Sequence, residues 1–253
     1  MQYEFRNLDP VENNTSLDIA SEGFIFNGYD TRLNGWFLVE RNAPLPEEQE
    51  ITEQVPYMQG EWDFSMFNGE RFFKNRSITY KIVAFGRRYR NRSALENDLK
   101  RELTRVGEST LKDTHDPCYY WRGKCKSIEI EDDEDKHILT ATIEFNCYPF
   151  AFTNHNEGSD IWDDVDFDHW IWQDVEFNVN GSRNVTIQNI GSRPVISTFE
   201  VTGTIKVQGG AGEVEVNQST GPITEYVMDI GSNRFTLTGN GKIKFVFTRE
   251  ELL

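Results

Sequence analysis

The sequence is poor in the residues from which most enzyme and metal sites are built. Its 253 residues include three cysteines and four histidines, and none of the histidines lies in a His-Glu-x-x-His motif. It has no Gly-x-Ser-x-Gly motif and no phosphate-binding glycine loop, and the Gly-Gly-Ala-Gly run at 209–212 reads as a turn between strands. A glycosidase requires two suitably placed carboxylates. Carboxylates are plentiful in this sequence, but no pair of them is marked out for that role. We therefore expect no enzymatic activity and no cofactor.

Basic residues are also scarce. The chain has 26 Lys and Arg against 42 Asp and Glu, which gives a formal net charge of −16. Such a charge repels nucleic acid and anionic membranes, so we expect neither as a partner. No apolar run is long enough to span a bilayer, and the N-terminus lacks the basic start and apolar core of a secretory signal. The chain is therefore expected to be soluble and made in a cytoplasm.

An odd number of cysteines in a reducing compartment argues against a disulfide framework. The spacing of Cys118, Cys125 and Cys147 fits no common zinc site, and no histidine follows at ligand spacing. We expect three free thiols on strands or at strand ends and no bound metal.

Strand-forming segments dominate the chain. They are short, rich in Ile, Val, Phe, Tyr and Thr, and bounded by Gly, Asn or Asp. Segments 126–133 and 137–148 flank an acidic turn and predict a hairpin. One segment differs, because Leu95, Leu99, Leu103 and Val106 recur at helical spacing. A helix from about Ala94 to Val106 is predicted, with Ser93 and Glu96 as its capping box and its apolar stripe lying on a sheet.

The composition changes after Phe152, which predicts two domains, at 1–152 and 153–253. Between Asn154 and Glu176 there are eight acids, three tryptophans and no Lys or Arg. The Asp-rich run 163–170 favours a solvated loop over a cation site, and Trp162, Trp170 and Trp172 favour packing over sugar stacking. Beyond this stretch, strand-like segments follow one another at Gly-rich turns, as in a galectin-like or jelly-roll sandwich.

One basic patch stands out in this acidic chain. Between residues 81 and 106 there are eight bases and three acids, a local balance of +5. The bases are Lys81, Arg87, Arg88, Arg90, Arg92, Lys100, Arg101 and Arg105. The patch is either a docking face for an acidic partner, such as another copy of this chain, or an exposed strand end and helix face.

The order of these segments resembles the distal tail protein family of long-tailed siphophages. In that family, a strand with a Tyr-Tyr pair, a Gly and a base precedes an Ile-Glu-Phe-x-Cys-x-Pro-Phe strand that closes the N-terminal domain. Tyr119, Tyr120, Gly123 and Lys124 match the first strand, and residues 143–150 match the second. Segment 184–203 is similar to the start of the family's second domain. The likeness covers most of the chain and is closest to simple members from phages of Gram-positive bacteria.

The resemblance implies a mainly β protein with a structural role in the tail tip of the virion. The implied fold is an N-terminal β-sandwich with one helix and an extended hairpin or loop, followed by a galectin-like β-sandwich. Six N-terminal domains would form a ring around a channel, alone or as two stacked rings. The implied partners are the major tail tube protein, a tail-associated hub or tail-fibre protein, and the tape measure protein in the channel.

The long segment 42–60 is the candidate subunit interface. It is too long for an ordinary connection, and its prolines oppose helix and central strand while its acids keep it solvated. It is either a mobile surface loop or an arm that reaches the next subunit, as the family's belt-like extensions do. In the second case its acids would meet the basic patch of that subunit. The residues of this predicted interface are Pro44, Glu47, Glu48, Glu50, Glu53, Arg87, Arg88, Arg90 and Arg92.

Two other functions compete with the ring. The C-terminal sandwich could be a carbohydrate-binding module that holds a host cell-wall polymer, or the chain could be a wall hydrolase. Binding of wall polymer and turnover of peptidoglycan separate these alternatives from a connector.

Overall fold

A computed structural model describes residues 22–66, 69–85, 88–158 and 170–253. The described residues divide into two compact units, 22–151 and 152–252, and the terminal Leu253 groups with the first. Among these residues, no helix is long and apolar enough to cross a membrane. Both units are built from antiparallel strands, and the mainly β class predicted from the sequence is confirmed.

The described residues of the N-terminal unit form nine strands and one helix. The strands are β1 (Phe24–Phe26), β2 (Tyr29–Asp30), β3 (Phe37–Asn42), β4 (Thr52–Glu53), β5 (Trp62–Asp63), β6 (Arg76–Ala84), β7 (Ser109–Asp113), β8 (Tyr119–Asp133) and β9 (Ile138–Cys147), and the helix is α1 (Tyr89–Thr104). Seven strands follow one another in the order β2-β1-β7-β8-β9-β6-β3, while β4 and β5 pair separately. The predicted hairpin is confirmed as β8 and β9, with Asp133 opposite Ile138.

The N-terminal sheet curls until its two ends face each other. Strands β1 and β6 are four strand spacings apart, which would be about 19 Å in a flat sheet. Yet the rings of Phe24 on β1 and Tyr80 on β6 stack with centroids 4.6 Å apart. Phe26 also packs on Phe145 of β9 at 5.0 Å. The curled sheet therefore encloses an aromatic core, as a sandwich does.

Helix α1 packs against this core through its predicted leucine stripe. Leu95, Leu99 and Leu103 are buried with the sheet residues. The helix begins five residues earlier than predicted, at Tyr89. The expected capping box does not form, because the N-cap is Arg88, in extended conformation and without a side-chain cap. The early start places Arg92 in the first turns, where it is buried.

The C-terminal unit is a sheet in the order β11-β15-β12-β13, with β14 paired to β12. Its strands are β11 (Glu176–Asn189), β12 (Val195–Gly209), β13 (Gly212–Asn217), β14 (Tyr226–Met228), β15 (Gly231–Val246) and β16 (Glu250–Glu251). A short strand, β10 (Ala151–Thr153), lies where the chain passes between the units. A 3₁₀ turn, Gly221–Ile223, follows β13.

The long C-terminal strands fold back on themselves. Phe235 and Phe245 both lie on β15, about 33 Å apart along an extended strand, yet their ring centroids are 4.9 Å apart. The bend falls at Gly239 and Gly241, which have φ of 140° and 149°. Gly203 on β12 lies opposite Gly241 and makes the same bend. One sheet thus forms both layers of a sandwich.

This bend corrects the segment boundaries predicted from the sequence. The sequence, with glycine at each break, predicts separate strands at 194–203 and 204–210, and again at 233–239 and 242–248. Each pair is one continuous strand, β12 or β15. Glycine marks a sharp change of direction, and in this unit the change occurs within a strand instead of between two strands.

Candidate functional site

Residues 43–75 leave the N-terminal sheet between β3 and β6 as a two-stranded hairpin, which we call the arm. Glu48 and Phe73 form an antiparallel bridge near its base. Farther out, β4 and β5 pair antiparallel. Residues 67 and 68 lie outside the described part of the arm. The segment predicted as an extended hairpin or loop is therefore a hairpin, and its prolines lie outside the two paired strands.

One face of the arm is apolar. Thr52 lies opposite Asp63, and the amide N–H of Phe64 donates to the carbonyl of Ile51 at 2.8 Å. Because side chains alternate along a strand, Ile51, Trp62 and Phe64 lie on one face, together with one acid, Glu53, which lies opposite Trp62. They are 61%, 56% and 43% exposed, and the rings of Trp62 and Phe64 stack with centroids 6.4 Å apart.

The opposite face is polar. The Ser65 hydroxyl accepts the Ile51 amide at 2.8 Å, and the Asp63 carboxylate accepts the Ser65 amide at 2.8 Å. Hydrogen bonds from Ser65 lower the pKa of Asp63. The arm is thus amphipathic although it has solvent on both sides.

More large apolar residues are exposed along the rest of the arm. They are Leu45, Val55, Tyr57, Met66 and Phe72. Tyr57, at the tip, is fully exposed and has a φ of 69°, which is unfavourable for a bulky residue. An isolated two-stranded hairpin is marginally stable in water, and exposed apolar clusters mark interaction sites. The arm has the properties of a surface that a partner covers.

The acids of the predicted interface fall into two groups. Glu47 and Glu48 form ion pairs within the arm, to Lys74 at 3.1 Å and to Arg71 at 2.8 Å. Glu50 and Glu53 are exposed and form no ion pair with any described residue. The latter two are therefore the acids available to a partner.

A buried cation holds the base of the arm. Arg76 is 2% exposed and donates through Nη2 to the carbonyl oxygens of Ala43 at 3.0 Å and Pro44 at 2.8 Å. Its guanidinium also lies over the ring of Trp121 at 5.8 Å. Desolvation by burial lowers the pKa of Arg76. Pro44, predicted as an interface residue, is thus part of the attachment of the arm.

A second cluster, partly buried, lies beside this attachment at the end of β3. Arg41 donates to Asp113 at 2.7 Å and to Asp116 at 2.5 Å, and Tyr80 donates its hydroxyl to Asp113 at 2.6 Å. The Arg41 guanidinium also lies over the Trp121 ring, with its central carbon 5.5 Å from the ring centroid. Burial raises the pKa of Asp116 and holds the pKa of Tyr80 well above its usual value. These contacts fix the strand from which the arm departs.

The arginines of the predicted basic patch also fall into two groups, one exposed and one buried. Arg88 and Arg90 are exposed and form no ion pair within the described part of the chain. Arg92 is buried instead and pairs with Asp132 on β8 at 2.5 Å, so it contributes to packing between helix and sheet. Arg87 lies outside the described residues. An interface through Arg88 and Arg90 stays a prediction, because no contact in a single chain tests it.

Aromatic side chains accompany the exposed arginines. Tyr89 lies between Arg88 and Arg90 and is 65% exposed, and Phe85 is 51% exposed. The Phe85 ring packs against Phe37 of β3 at 5.7 Å. We call Phe85, Arg88, Tyr89 and Arg90 the basic aromatic patch. Sequence reasoning found its charges but missed its rings, just as it found the acids of the arm and missed the alternating apolar residues 62, 64 and 66.

The segment that carries the three cysteines, residues 118–147, has a structural role. Cys118, Cys125 and Cys147 form no disulfide with one another. Burial raises the pKa of Cys125 to about 11 and that of Cys147 to about 12, which makes both poor nucleophiles. A Cβ at Gly123 would lie 2.5 Å from the sulfur of Cys147, so this site requires glycine. Among the described residues, no group of three His, Cys, Asp or Glu side chains could hold a metal ion.

The acidic stretch after Phe152 is described only at its ends. Glu157 accepts a hydrogen bond from Arg249 at 2.5 Å and from Gln173 at 3.0 Å, and Arg249 lies over the Trp170 ring at 5.0 Å. The cation site considered at 163–170 lies outside the described residues except for Trp170, as does Trp162. The described ends are therefore held by packing around Arg249.

No protein-family model and no curated protein matches the sequence. Among solved structures, the chain is similar to the crystal structure of the SPP1 Dit (gp 19.1) protein, described as a paradigm of the hub adsorption apparatus in phages that infect Gram-positive bacteria. The TM-score is 0.63 at 10% identity, over 91% of this chain and 99% of that one.

Two phage P2 baseplate structures in the activated conformation, with Ca and with Sr, also match at 10% identity. The TM-scores are 0.44 and 0.43, over 91% and 87% of this chain and 97% and 92% of the matched chains. The likeness to SPP1 Dit shows a shared fold, and the fold implied by the sequence resemblance is confirmed.

Proposed function

We propose that this chain is a non-enzymatic structural protein of a phage tail tip, which closes into a hexameric ring between the tail tube and the adsorption apparatus. The observation that carries the proposal is the arm, an amphipathic hairpin whose apolar face is exposed in a single chain. The fold shared with SPP1 Dit over nearly the whole of both chains supports the same class of protein.

The arm docks on the neighbouring copy in this proposal. An arm that leaves one side of a subunit and binds a different surface of the next forms a head-to-tail contact, and repetition of that contact closes a ring. The apolar residues Ile51, Trp62 and Phe64 supply the buried centre of the contact. The stacked aromatic pair suits this role, because large aromatic side chains dominate the energetics of interfaces.

The basic aromatic patch of the neighbour is the proposed receptor. Glu53, which lies opposite Trp62 on the docking face, then meets Arg88 and Arg90 together with the nearby Glu50, and both arginines are exposed and without ion pairs among the described residues. Both surfaces combine exposed aromatic rings with charges of one sign, and the signs are opposite. Such complementarity sets which surface the arm selects and speeds its association.

The ring surrounds a channel for the tape measure protein and DNA, and a net charge of −16 disfavours lasting contact with DNA. In this proposal residues 1–152 form the ring and residues 153–253 form an outer domain. The tail tube protein binds one side of the ring and a hub or tail-fibre protein binds the other. The protein is assembled in the cytoplasm of a Gram-positive host and resides in the virion tail tip.

Native mass spectrometry of the full chain tests the ring. We expect six copies of the 29.4 kDa chain, or twelve if two rings stack. A variant in which a short Gly-Ser turn replaces residues 47–73 should be folded and monomeric. The proposal is overturned if the wild-type chain remains monomeric at micromolar concentration, or if the armless variant still forms complete rings.

A further inference from the structure

A pocket of about 340 Å³ opens on the solvent-facing side of the C-terminal sheet. Three neighbouring strands, β11, β15 and β12, form its floor. Their register places Glu176, Lys244 and Glu200 in one row across the sheet, and Lys242 and Thr202 in the next. Five polar side chains from three strands therefore line one small area.

The wall of the pocket is the turn that follows β13, which contributes Gln218 and Pro222. The turn lies directly on β12, because a Cβ at Gly221 would approach the Phe199 carbonyl oxygen to 2.5 Å. The side chain of Asn217 accepts two backbone amides within the turn, at 2.9 and 3.1 Å. The wall is thus preorganised, which lowers the entropic cost of binding a ligand.

The floor contains hydrogen-bonding capacity that the protein does not use. Lys242 forms a close ion pair with Glu176 at 2.6 Å. The side chains of Lys244 and Glu200 are 3.9 Å apart, too far for a hydrogen bond, and neither side chain makes another hydrogen bond to a described residue. A hydroxyl group fits this gap, because it can accept from the ammonium and donate to the carboxylate at the same time.

We infer that this pocket binds a neutral sugar residue through adjacent hydroxyl groups. The two lysines and two glutamates cancel in charge, so the pocket does not favour a phosphate over a neutral ligand. Thr202 and Gln218 add further donors and acceptors, and Pro222 offers an apolar surface to the C–H face of a sugar ring. The described tryptophans Trp170 and Trp172 do not line this pocket, and the inference does not depend on ring formation.

Saturation-transfer NMR on the full chain tests the pocket, since it detects weak ligands on large assemblies. The probes are N-acetylglucosamine, glucose, galactose and rhamnose, with glycerol phosphate as the anionic comparison. The pocket variants are Glu200→Gln and Lys244→Met. The matched control is Lys206→Met, which removes an ion pair to Glu213 of 2.8 Å on the same sheet but outside the pocket.

We expect saturable binding of at least one neutral sugar, with a loss in affinity of roughly tenfold or more in each pocket variant and no change in the control. Native mass and melting temperature of each variant should equal those of the wild type, which separates failure of this inference from failure of the ring. The inference is overturned if no neutral sugar saturates, if only glycerol phosphate binds, or if the pocket variants bind sugar as the wild type does.

Discussion

The Nη2 group of Arg76 donates a hydrogen bond of 2.8 Å to the carbonyl oxygen of Pro44, so a buried cation fixes the residues from which the arm departs. The same group bonds the Ala43 carbonyl at 3.0 Å. An exposed hairpin without its own core needs a rigid attachment if it is to reach a defined surface. The buried guanidinium of Arg76 thus fixes the direction in which the arm leaves the sheet, and this role accounts for its burial despite the desolvation that burial requires.

Replacement of Arg76 by Met should loosen the arm. The carbonyls of Ala43 and Pro44 lose their donor, as does that of Leu253, which accepts from Nη1 of Arg76 at 2.9 Å, and we expect a loss of about 1–3 kcal/mol in the free energy of unfolding, measured by urea denaturation. Limited proteolysis should cut the arm faster. The control is Arg71→Met, an exposed arginine of the arm paired with Glu48, which should change stability by no more than about 0.5 kcal/mol. Equal effects of the two variants would contradict the proposed attachment.

Replacement of Gly241 by Ala should strongly destabilise the C-terminal unit. Its φ of 149° is unfavourable for any residue with a side chain, and the new Cβ would overlap the carbonyl oxygen of Thr202. We expect a loss of more than about 3 kcal/mol, measured by thermal unfolding. Gly210→Ala is the matched control, since nothing lies within 4 Å of its Cβ position. A small effect at Gly241 would mean that the sheet does not bend there.

The strands with clean alternation could be predicted from the sequence, and the bent strands could not. Strand β8 follows from the alternation of Ile with Glu, and β9 from the run of strand-forming residues after the acidic turn, both of which are local signals. The breaks predicted within β12 and β15 arose because glycine marks a turn and an in-strand bend alike. The early start of α1 includes Arg92, whose ion pair with Asp132 joins residues forty positions apart and is not visible in a local pattern.

The candidate interface shows the same division. The acids of segment 42–60 and the basic run near residue 88 are visible in the sequence as charge. Which of these charges are available depends on tertiary contacts, since Glu47, Glu48 and Arg92 find partners within the chain. The apolar face of the arm follows only from the register of β4 and β5, which places Ile51 on the side of Trp62 and Phe64.

Stability should fall in the alkaline range. Burial raises the pKa of Cys125 to about 11 and that of Cys147 to about 12, from an ordinary value of 9.0. The folded state holds these protons more tightly than the unfolded chain, so this stabilisation is complete below about pH 9 and is lost as the pH rises through 11 and 12. Urea denaturation from pH 7 to 11 should show the decline, and Cys125→Ala should make it shallower. An identical pH dependence in the variant would contradict the assignment.

Replacement of Trp62 and Phe64 together by Ser should abolish the ring without unfolding the chain. Both side chains are exposed in a single subunit, so we expect the stability of the monomer to change by less than about 1 kcal/mol. Native mass spectrometry should show monomer in place of the wild-type assembly. The control is Thr52→Ser on the polar face, which should assemble normally. If the double variant forms rings of unchanged mass, the apolar face is not part of the interface.

The pairing of the arm with the basic aromatic patch is tested by charge reversal. Glu50→Arg with Glu53→Arg should weaken assembly, because two bases of the arm would then face Arg88 and Arg90 of the neighbour. Arg88→Glu with Arg90→Glu should weaken it equally, since acids would face acids. None of these side chains forms an ion pair with a described residue of its own chain, so folding should be unaffected.

Mixing the two reversed chains cannot isolate the contact, because every subunit of a ring supplies both an arm and a patch. The four changes are therefore combined in one chain, where each reversed arm meets a reversed patch. We expect this quadruple variant to recover rings at low salt, by native mass spectrometry, while both double variants remain smaller. Added salt should weaken the recovered rings only in part if the pairs are shielded from solvent. If the quadruple variant forms no larger assemblies than the two double variants, the arm binds elsewhere on its neighbour.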